Sequence, residues 1–326
     1  MNRRHFALAA LAIATLGAQP ALAQTQSSTW PQRSVRFILP LGPGSGVDIG
    51  SRLIADRLSQ KWGKPVVIEN KPGGDAIVAI TAFTAANDDH TFLMAPTSTF
   101  TAHPFLHEKL PYELKDLVPI ARVSNTVVAV GVPASLGINT MDDLLARAKA
   151  QPGQLNSASA TGANDFVAAG FLKQAGAEIA RIPYRDTVQA INDLAEGRIQ
   201  LYVAAYAIMR PQVQAGKVKV ITITNSERAP MLPDVPTAKE SGHPGLTIDG
   251  LIGLFGPTSM PAELRNRIAA DVMAAAAEPD IAAKIGATGQ IVRPGGADEF
   301  AREIEVQSKV VAEAAAAAGV KRMLQN

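Results

Sequence analysis

Short apolar runs alternate with segments of helical periodicity along most of the chain. Residues 35–39 (VRFIL) precede a helical segment at 47–62, and 65–70 (PVVIEN) precede another at 76–86, before the run TFLMAP at 91–96. Such alternation predicts an α/β architecture with mostly parallel sheets, because each crossover helix returns the chain to the start of the next strand. The last third is mainly helical in its periodicity. A length of 326 residues allows two domains.

The first 23 residues have the order of an export signal. A basic start, MNRRHF, is followed by the apolar run ALAALAIATLG and by the small-residue motif ALA at 21–23. The run is too short to span a bilayer, so we expect cleavage after Ala23, a mature chain that begins at Gln24, and a periplasmic location. Arg3 and Arg4 also fit a twin-arginine signal, which leaves the Sec and twin-arginine routes both open.

The mature chain is predicted to carry no net charge. Removal of Arg3 and Arg4 takes the formal charge from +2 to 0, which argues against nucleic acid or an anionic membrane as a partner. The sequence has no cysteine, so zinc–thiolate sites, iron–sulfur clusters and cysteine nucleophiles are excluded. No later segment approaches 18 consecutive apolar residues, and we expect a soluble protein.

The glycine-rich loop PLGPGSGVD at 40–48 lies between a predicted strand and a predicted helix. Backbone N–H groups and the positive end of a helix meet at such a loop, which suits an anion. It is not a P-loop, because no lysine follows Gly46, and its alternating glycines do not fit the dinucleotide pattern. It is not a nucleophile elbow, since Pro43 stands two residues before Ser45. From the residues alone, a tight turn and a ligand site both remain open.

Catalytic and metal-binding patterns are sparse. His103 and His107 in HPFLH are spaced i,i+4, but Pro104 between them argues against a helical metal pair, and we expect a surface loop there. The preceding Thr/Ser-rich stretch that begins at Thr97 is also expected to be a loop. No acid, base and nucleophile assemble in the pattern, so we predict no enzyme activity, no cofactor and no bound metal.

Longer blocks resemble, in order, the substrate-binding proteins of tripartite tricarboxylate transporters, also called the Bug family. These blocks are WPQRSVRFILPLGPGSGVDIGSRLIADRLSQKWGKPVVIENKPGG, KLPYELKDLVPIARV, IPYRDTVQAINDLAEGRIQL, VQAGKVKVITITNSERAPMLPDVPTAKESGHPG and GLFGPTSMP. The resemblance covers residues from about 30 to about 320. It implies a two-lobe periplasmic-binding-protein (Venus flytrap) fold, each lobe a mostly parallel sheet flanked by helices, that closes over a small carboxylate without a cofactor.

The resemblance also implies which residues line the cleft. In that family two loops at helix N-termini offer backbone N–H groups to a carboxylate, and further loops complete the pocket. Carried over to this sequence, the ligand-binding positions are Pro43, Gly44, Ser45, Gly46, Asp48, Thr97, Ser98, Thr99, Ser159, Ala160, Thr161, Gly162, Ala163, Asn164, Tyr184, Arg185 and Asp186.

The sequence departs from the family pattern at several of these positions. Ser45 replaces the second of two adjacent glycines, Phe166 stands where the family has a histidine, and Asp186 stands where glycine is usual. If Asp186 points to solvent or pairs with Arg185, the ligand is an ordinary carboxylate. If Asp186 or Asp165 faces the cleft, an amino acid becomes the expected ligand.

We therefore predict a periplasmic receptor that passes a small carboxylate or amino acid to membrane transporter subunits, and we expect a monomer. Lobe 1 is predicted to comprise residues 30–130 and 252–326, and lobe 2 residues 131–251. A ligand-sensing partner of a membrane signalling protein is an alternative in the same fold, and a secreted hydrolase is the alternative from another class.

Overall fold

The computed structural model describes residues 30–159, 162–184 and 186–323, so the predicted signal at 1–23 lies outside the described residues. The chain divides into two compact units, 1–32 and 33–326, and every element below belongs to the second. No helix in the described part is both long enough and apolar enough to cross a bilayer.

In chain order the elements are β1 Val35–Leu39, α1 Gly46–Trp62, β2 Val66–Asn70, α2 Ile77–Ala86, β3 Thr91–Pro96, α3 Thr97–Leu106, β4 Val118–Thr126, β5 Val128–Pro133, α4 Met141–Ala150, β6 Leu155–Ser159, α5 Ala163–Gln174, β7 Ile179–Pro183, α6 Thr187–Ala195, β8 Tyr202–Ala205, α7 Tyr206–Gln214, β9 Val218–Ile223, β10 Gly250–Gly256, α8 Ala262–Ala277, α9 Pro279–Ala287, β11 Gln290–Gly296 and α10 Ala297–Ala318.

A six-stranded sheet has the order β11–β4–β10–β3–β1–β2. Strand β1 pairs in parallel with β2 and β3, as the strand–helix alternation at the start of the chain predicts. Val35, Phe37 and Leu39 on one face of β1 are fully buried, and Ile38 on the other face is 1% exposed, so the strand is covered on both sides. Arg36, the one charged residue of β1, pairs with Glu69 of β2.

The remaining strands form a three-stranded sheet, β8–β5–β9, and a parallel pair, β6–β7. The α/β class is confirmed, but the sheets are mixed rather than mostly parallel. Strand β10 runs antiparallel to both β3 and β4, and β5 runs antiparallel to both of its neighbours. The reason is topological: β10 returns from the second group of strands and so enters the six-stranded sheet in the opposite direction.

The segment that begins at Thr97 is a helix, and the prediction of a loop there is wrong. Helix α3 continues through Pro104, and the backbone N–H of His107 donates to the carbonyl of His103 at 3.0 Å. Phe100 and His103 are buried, so HPFLH is not a surface loop. Tertiary burial here overrides the weak helix propensity of Thr, Ser and Pro.

The C-terminal helix α10 packs closely against α5. A Cβ placed on Gly170 of α5 would lie 2.5 Å from the backbone oxygen of Ala314 in α10. Val311 and Ala315 of α10 belong to the same buried cluster as Phe166 of α5. A helix late in the chain therefore stabilises the group of strands formed by its middle third.

Candidate functional site

The loop between β1 and α1 has a backbone that only glycine adopts readily. Gly44 has φ +83°, a left-handed conformation that disfavours side chains. Ser45 is the N-cap of α1, and its hydroxyl accepts a hydrogen bond from the N–H of Asp48 at 3.2 Å. The first N–H groups of a helix have no carbonyl partner within it, so those of Gly46 and Val47 point out of the start of α1.

Asp48 holds this loop in place from inside. Its carboxylate is 2% exposed and accepts hydrogen bonds from the N–H of Gly44 at 2.9 Å, from Nδ2 of Asn70 at 2.8 Å and from Nε of Arg52 at 3.1 Å. Burial raises the pKa of Asp48, but the hydrogen bonds from Arg52, Gly44 and Asn70 outweigh it and hold the pKa below its ordinary value. Asp48 is thus ionised and fully engaged, and it shapes the loop.

A cavity of about 500 Å³ opens in front of the loop. It is lined by Leu41, Gly44, Ser45, Gly46, Val47, Pro96, Ser98, Thr126, Val128, Asn164, Ala205, Ala207, Ile208, Gly250, Thr288 and Gln290. None of these described residues carries an ionisable side chain. Its polar groups are backbone amides, hydroxyls and two side-chain amides, which together recognise hydrogen-bonding ligands.

Four helices begin at this cavity. Helix α1 begins at Gly46, and α3 begins one residue before Ser98. Helix α5 begins one residue before Asn164, and α7 begins between the lining residues Ala205 and Ala207.

Each helix N-terminus carries a partial positive charge, and its first N–H groups have no carbonyl partner within the helix. At α7 the N–H of Tyr206 donates to the carbonyl of Val127 at 2.8 Å, so there only the N–H groups after Tyr206 can face the cavity. The convergence of the four N-termini makes the cavity suited to an anion although none of its described lining residues carries a cationic side chain.

A second cavity, of about 400 Å³, lies beside α10 and has the opposite character. Asp249, Glu299 and Glu303 line it, with Arg302 as the one basic residue among its described lining residues. Three carboxylates against one guanidinium disfavour an anionic ligand there. The first cavity is therefore the candidate functional site.

The structure brings together part of the set that the resemblance implies. Gly44, Ser45, Gly46, Ser98 and Asn164 all line the cavity. The loops that carry them are close: a Cβ on Gly162, the N-cap of α5, would lie 3.7 Å from the backbone oxygen of Ser98. Three segments that are distant in the sequence, at 44–46, 98 and 164, thus meet at one cavity.

Other members of that set do not line the cavity. Thr97 is buried, and its hydroxyl donates to Oε1 of Gln307 at 2.6 Å. Tyr184 donates its hydroxyl to Asp193 at 2.7 Å. The remaining described members outside the cavity lining are Pro43, Asp48, Thr99, Gly162, Ala163 and Asp186. Ala160, Thr161 and Arg185 lie outside the described residues.

The two aspartates that could have faced the cleft, Asp165 and Asp186, are engaged within the protein. Asp186 is the N-cap of α6, and its carboxylate accepts a hydrogen bond from the N–H of Val188 at 2.8 Å. Asp165 forms an ion pair with Arg181. Neither residue lines the cavity.

Sequence reasoning misses the residues that close the cavity opposite α1. Gln290 accepts a hydrogen bond from the hydroxyl of Ser124 at 2.6 Å and donates one to Thr288 at 2.8 Å. A Cβ on Gly46 would lie 3.1 Å from both Gln290 Nε2 and Thr288 Oγ1, so this wall stands directly against the start of α1. No motif marks Thr288 or Gln290. The segment YVAAYAIMR, in which a helical pattern follows an apolar run directly, does indicate from the sequence that a helix starts there.

Comparison with known proteins finds similarity over most of the chain. The family model for tripartite tricarboxylate transporter family receptors matches residues 51–315. A UPF0065 protein from the tcbD-tcbE intergenic region of Pseudomonas sp. strain P51 is 31% identical over 310 residues, which cover 90% of this chain and 92% of the relative. Protein BugT of Bordetella pertussis is 29% identical over 322 residues, 96% of this chain and 98% of the relative.

Two solved structures from Rhodopseudomonas palustris are similar over most of their length. Rpa4515 with adipate has a TM-score of 0.77 and 25% identity, and the match covers 89% of this chain and 99% of that one. MatC with bound malate has a TM-score of 0.70 and 26% identity, with coverage of 86% and 99%. Both of these proteins hold a dicarboxylate.

Proposed function

Because this chain belongs to the tripartite tricarboxylate transporter receptor family, we propose that it is an extracytoplasmic receptor for a small carboxylate, which it delivers to a membrane transporter of that type. The observation that carries the proposal is the convergence of four helix N-termini on a cavity whose described lining residues carry no ionisable side chain. Fixed N–H dipoles solvate a carboxylate without needing a cationic side chain, and they leave the ligand free to be released. The dicarboxylates named for the two structural neighbours, adipate and malate, support the same ligand class.

The predicted site residues enter the proposal with distinct roles. We assign the carboxylate to the N–H groups around Gly44, Ser45 and Gly46, with Ser98 and Asn164 as further contacts. Asp48 acts as a positioning residue for the loop. Catalysis forms no part of the proposal.

The lobes proposed are residues 30–130 with 252–326, and 131–251. The strand grouping supports this division, since the six-stranded sheet takes its strands from 35–126 and 250–296, and the other sheets take theirs from 128–223. Ligand-driven closure of the two lobes should appear as compaction in small-angle X-ray scattering. A radius of gyration that does not change on saturation with a bound ligand would contradict the hinge.

Export to the periplasm is part of the proposal, with cleavage after Ala23. Mass spectrometry of the exported chain should give an N-terminus at Gln24. An intact Met1 in the exported pool would contradict the cleavage site, and replacement of Arg3 and Arg4 by lysine would distinguish the twin-arginine route from the Sec route.

A thermal-shift screen tests the ligand class. A ligand that binds only the folded state stabilises it by about 2.7 kcal/mol at a concentration of 100 Kd. We expect malate, succinate, adipate or citrate to raise the melting temperature, and adipamide, the neutral control for adipate, to leave it unchanged. The proposal fails if no carboxylate shifts the melting temperature, if adipamide and adipate act alike, or if the protein converts a carboxylate to product.

A further inference from the structure

Two histidines and an aspartate form a cluster apart from the cavity, where the turn before α2 meets the C-terminal end of α3. Nε2 of His103 lies 3.6 Å from Oδ2 of Asp75, and Nε2 of His107 lies 3.8 Å from the same oxygen. The three ligand atoms all lie within 4.8 Å of one another. None of the three residues lines the cavity of the candidate functional site.

Helix α3 brings the two imidazoles together. His103 and His107 are one helical turn apart, and their ring centroids are 5.1 Å apart with the ring planes at 88°. Asp75 lies in the turn Gly74–Ala76, just ahead of α2, and reaches both rings from the other side. The cluster therefore joins two elements that are separated in the sequence by helix α2 and strand β3.

His107 shows that the cluster is incomplete as a hydrogen-bonded unit. Its Nε2 atom is buried and has no hydrogen-bond partner among the described residues, although it lies opposite the Asp75 carboxylate. A buried nitrogen of this kind normally has a partner. A cation between the His107 imidazole and the Asp75 carboxylate would give Nε2 of His107 a partner and would bind the carboxylate at the same time.

We propose that Asp75, His103 and His107 bind a divalent transition-metal cation of the zinc type. Zinc lies about 2.0–2.2 Å from imidazole nitrogen and carboxylate oxygen, so tetrahedral ligand atoms are about 3.4 Å apart. The two carboxylate–imidazole separations of 3.6 Å and 3.8 Å need to contract by a few tenths of an ångström, and all three ligand atoms already lie within 4.8 Å of one another. Nε2 of His103 must also turn from the backbone oxygen of Asp75 toward the cation. Two imidazoles favour zinc, cobalt, nickel or copper over magnesium and calcium, which prefer oxygen ligands.

Tyr112 is placed to orient the first imidazole. Its hydroxyl is hydrogen-bonded to Nδ1 of His103, the nitrogen that faces away from the carboxylate. Without a cation, Nε2–H of His103 donates to the backbone oxygen of Asp75 at 2.9 Å. With a cation on Nε2, the proton of the neutral imidazole would lie on Nδ1, and Nδ1–H would donate a hydrogen bond to the hydroxyl oxygen of Tyr112. Such partners of metal-ligating histidines typically alter metal affinity about 10–100-fold.

The site would tie the turn before α2 to the helix whose first turn contributes Ser98 to the cavity. It is independent of the carboxylate proposal, because it uses neither the loop at Gly44 nor any other residue that lines the cavity. Failure of one proposal leaves the other intact.

Metal titration of the exported chain, purified without a histidine tag and treated with EDTA, tests the site. We expect one equivalent of Zn²⁺ by isothermal titration calorimetry, and visible d–d absorption typical of four-coordinate Co²⁺ when cobalt replaces it. Mg²⁺ should not compete. His107→Gln and Asp75→Asn should each weaken Zn²⁺ binding by more than 100-fold, because they remove direct ligands. Both side chains are partly exposed, at 30% and 24%, so we expect the variants to fold.

Two further variants separate coordination from general effects. Tyr112→Phe should weaken Zn²⁺ about 10–100-fold at unchanged stoichiometry. His243→Gln is the matched control, because His243 also lies beside an aspartate, Asp142, at 3.1 Å but has no second histidine next to it in the described part of the chain. This variant should bind Zn²⁺ like the wild type. The proposal is overturned if the wild type takes up less than one equivalent of Zn²⁺ at micromolar concentrations or shows no Co²⁺ d–d bands. It is equally overturned if His107→Gln and Asp75→Asn bind like the wild type.

Discussion

Replacement of Gly44 by alanine tests whether the backbone of the first loop determines affinity. A Cβ at Gly44 meets no atom within 4 Å, so Gly44→Ala creates no clash, but φ at this residue is +83°. An L residue in the left-handed region costs about 1–2 kcal/mol. If the loop relaxes to avoid this cost, the population of the binding-competent conformation falls by the factor that corresponds to about 1–2 kcal/mol. The apparent Kd then rises about 5–30-fold.

Gly42→Ala is the matched control, because Gly42 also has open space around its Cβ position but does not have a positive φ. Isothermal titration calorimetry with the carboxylate found in the thermal-shift screen should give a raised Kd for Gly44→Ala and an unchanged Kd for Gly42→Ala. Circular dichroism should show both variants folded. Equal affinities for the two variants would refute the reasoning, since they would show that the left-handed turn does not organise the binding N–H groups.

Three other substitutions test the cavity and the helix packing. Gly46→Val should abolish carboxylate binding in calorimetry and leave the chain folded, because its Cβ meets Gln290 Nε2 at 3.1 Å and its methyl groups enter the cavity; normal binding would show the loop to be only a turn. Asp48→Asn should lower the free energy of unfolding by about 1.5–3 kcal/mol above pH 5, because the amide keeps only half of the acceptors. The pKa of Asp48 is lowered in the folded chain, so this difference should fade in urea titrations as pH falls below 3.8, and a pH-independent difference would contradict the assignment. Gly170→Val should destabilise the fold by about 1–3 kcal/mol, since its Cβ would lie 2.5 Å from Ala314 O; an unchanged melting temperature would show that α5 and α10 separate easily.

Local periodicity predicts the first part of the fold well and the strand directions poorly. The run 35–39 and the helical segment 47–62 correspond to β1 and α1 because both elements bury the apolar face that the sequence displays. The direction of β10 depends on where the chain returns from the second group of strands, and no local pattern encodes that. Strand β11 is hidden for another reason: it contains Pro294, Gly295 and Gly296, and its pairing with β4 shifts register there.

In the site, too, local features can be predicted from the sequence, whereas features that depend on distant contacts cannot. The loop 40–48 is visible in the sequence because glycine is required where φ is positive and where a helix start must stay open. Thr288 and Gln290 are invisible because ordinary polar residues gain their role only from the contact between α1 and the β11 edge. Helix α3 is missed because Pro104 is read as a helix breaker, whereas burial of His103 and Phe100 stabilises the last turn around it.

The absence of ionisable side chains among the described residues that line the cavity limits how a carboxylate is held there. A helix N-terminus contributes about 0.3–1 kcal/mol to an exposed anion and up to about 2 kcal/mol in a partly buried site. Four N-termini therefore supply at most about 8 kcal/mol, which equals the free energy of micromolar binding before any cost of association is counted. Hydrogen bonds from N–H groups to the carboxylate, each about 1.5–3 kcal/mol, must supply the remainder. Asp165 pairs with Arg181 and Asp186 caps α6, and the described residues that line the cavity include no carboxylate to attract an ammonium group. We therefore expect a dicarboxylate to bind more tightly than an amino acid.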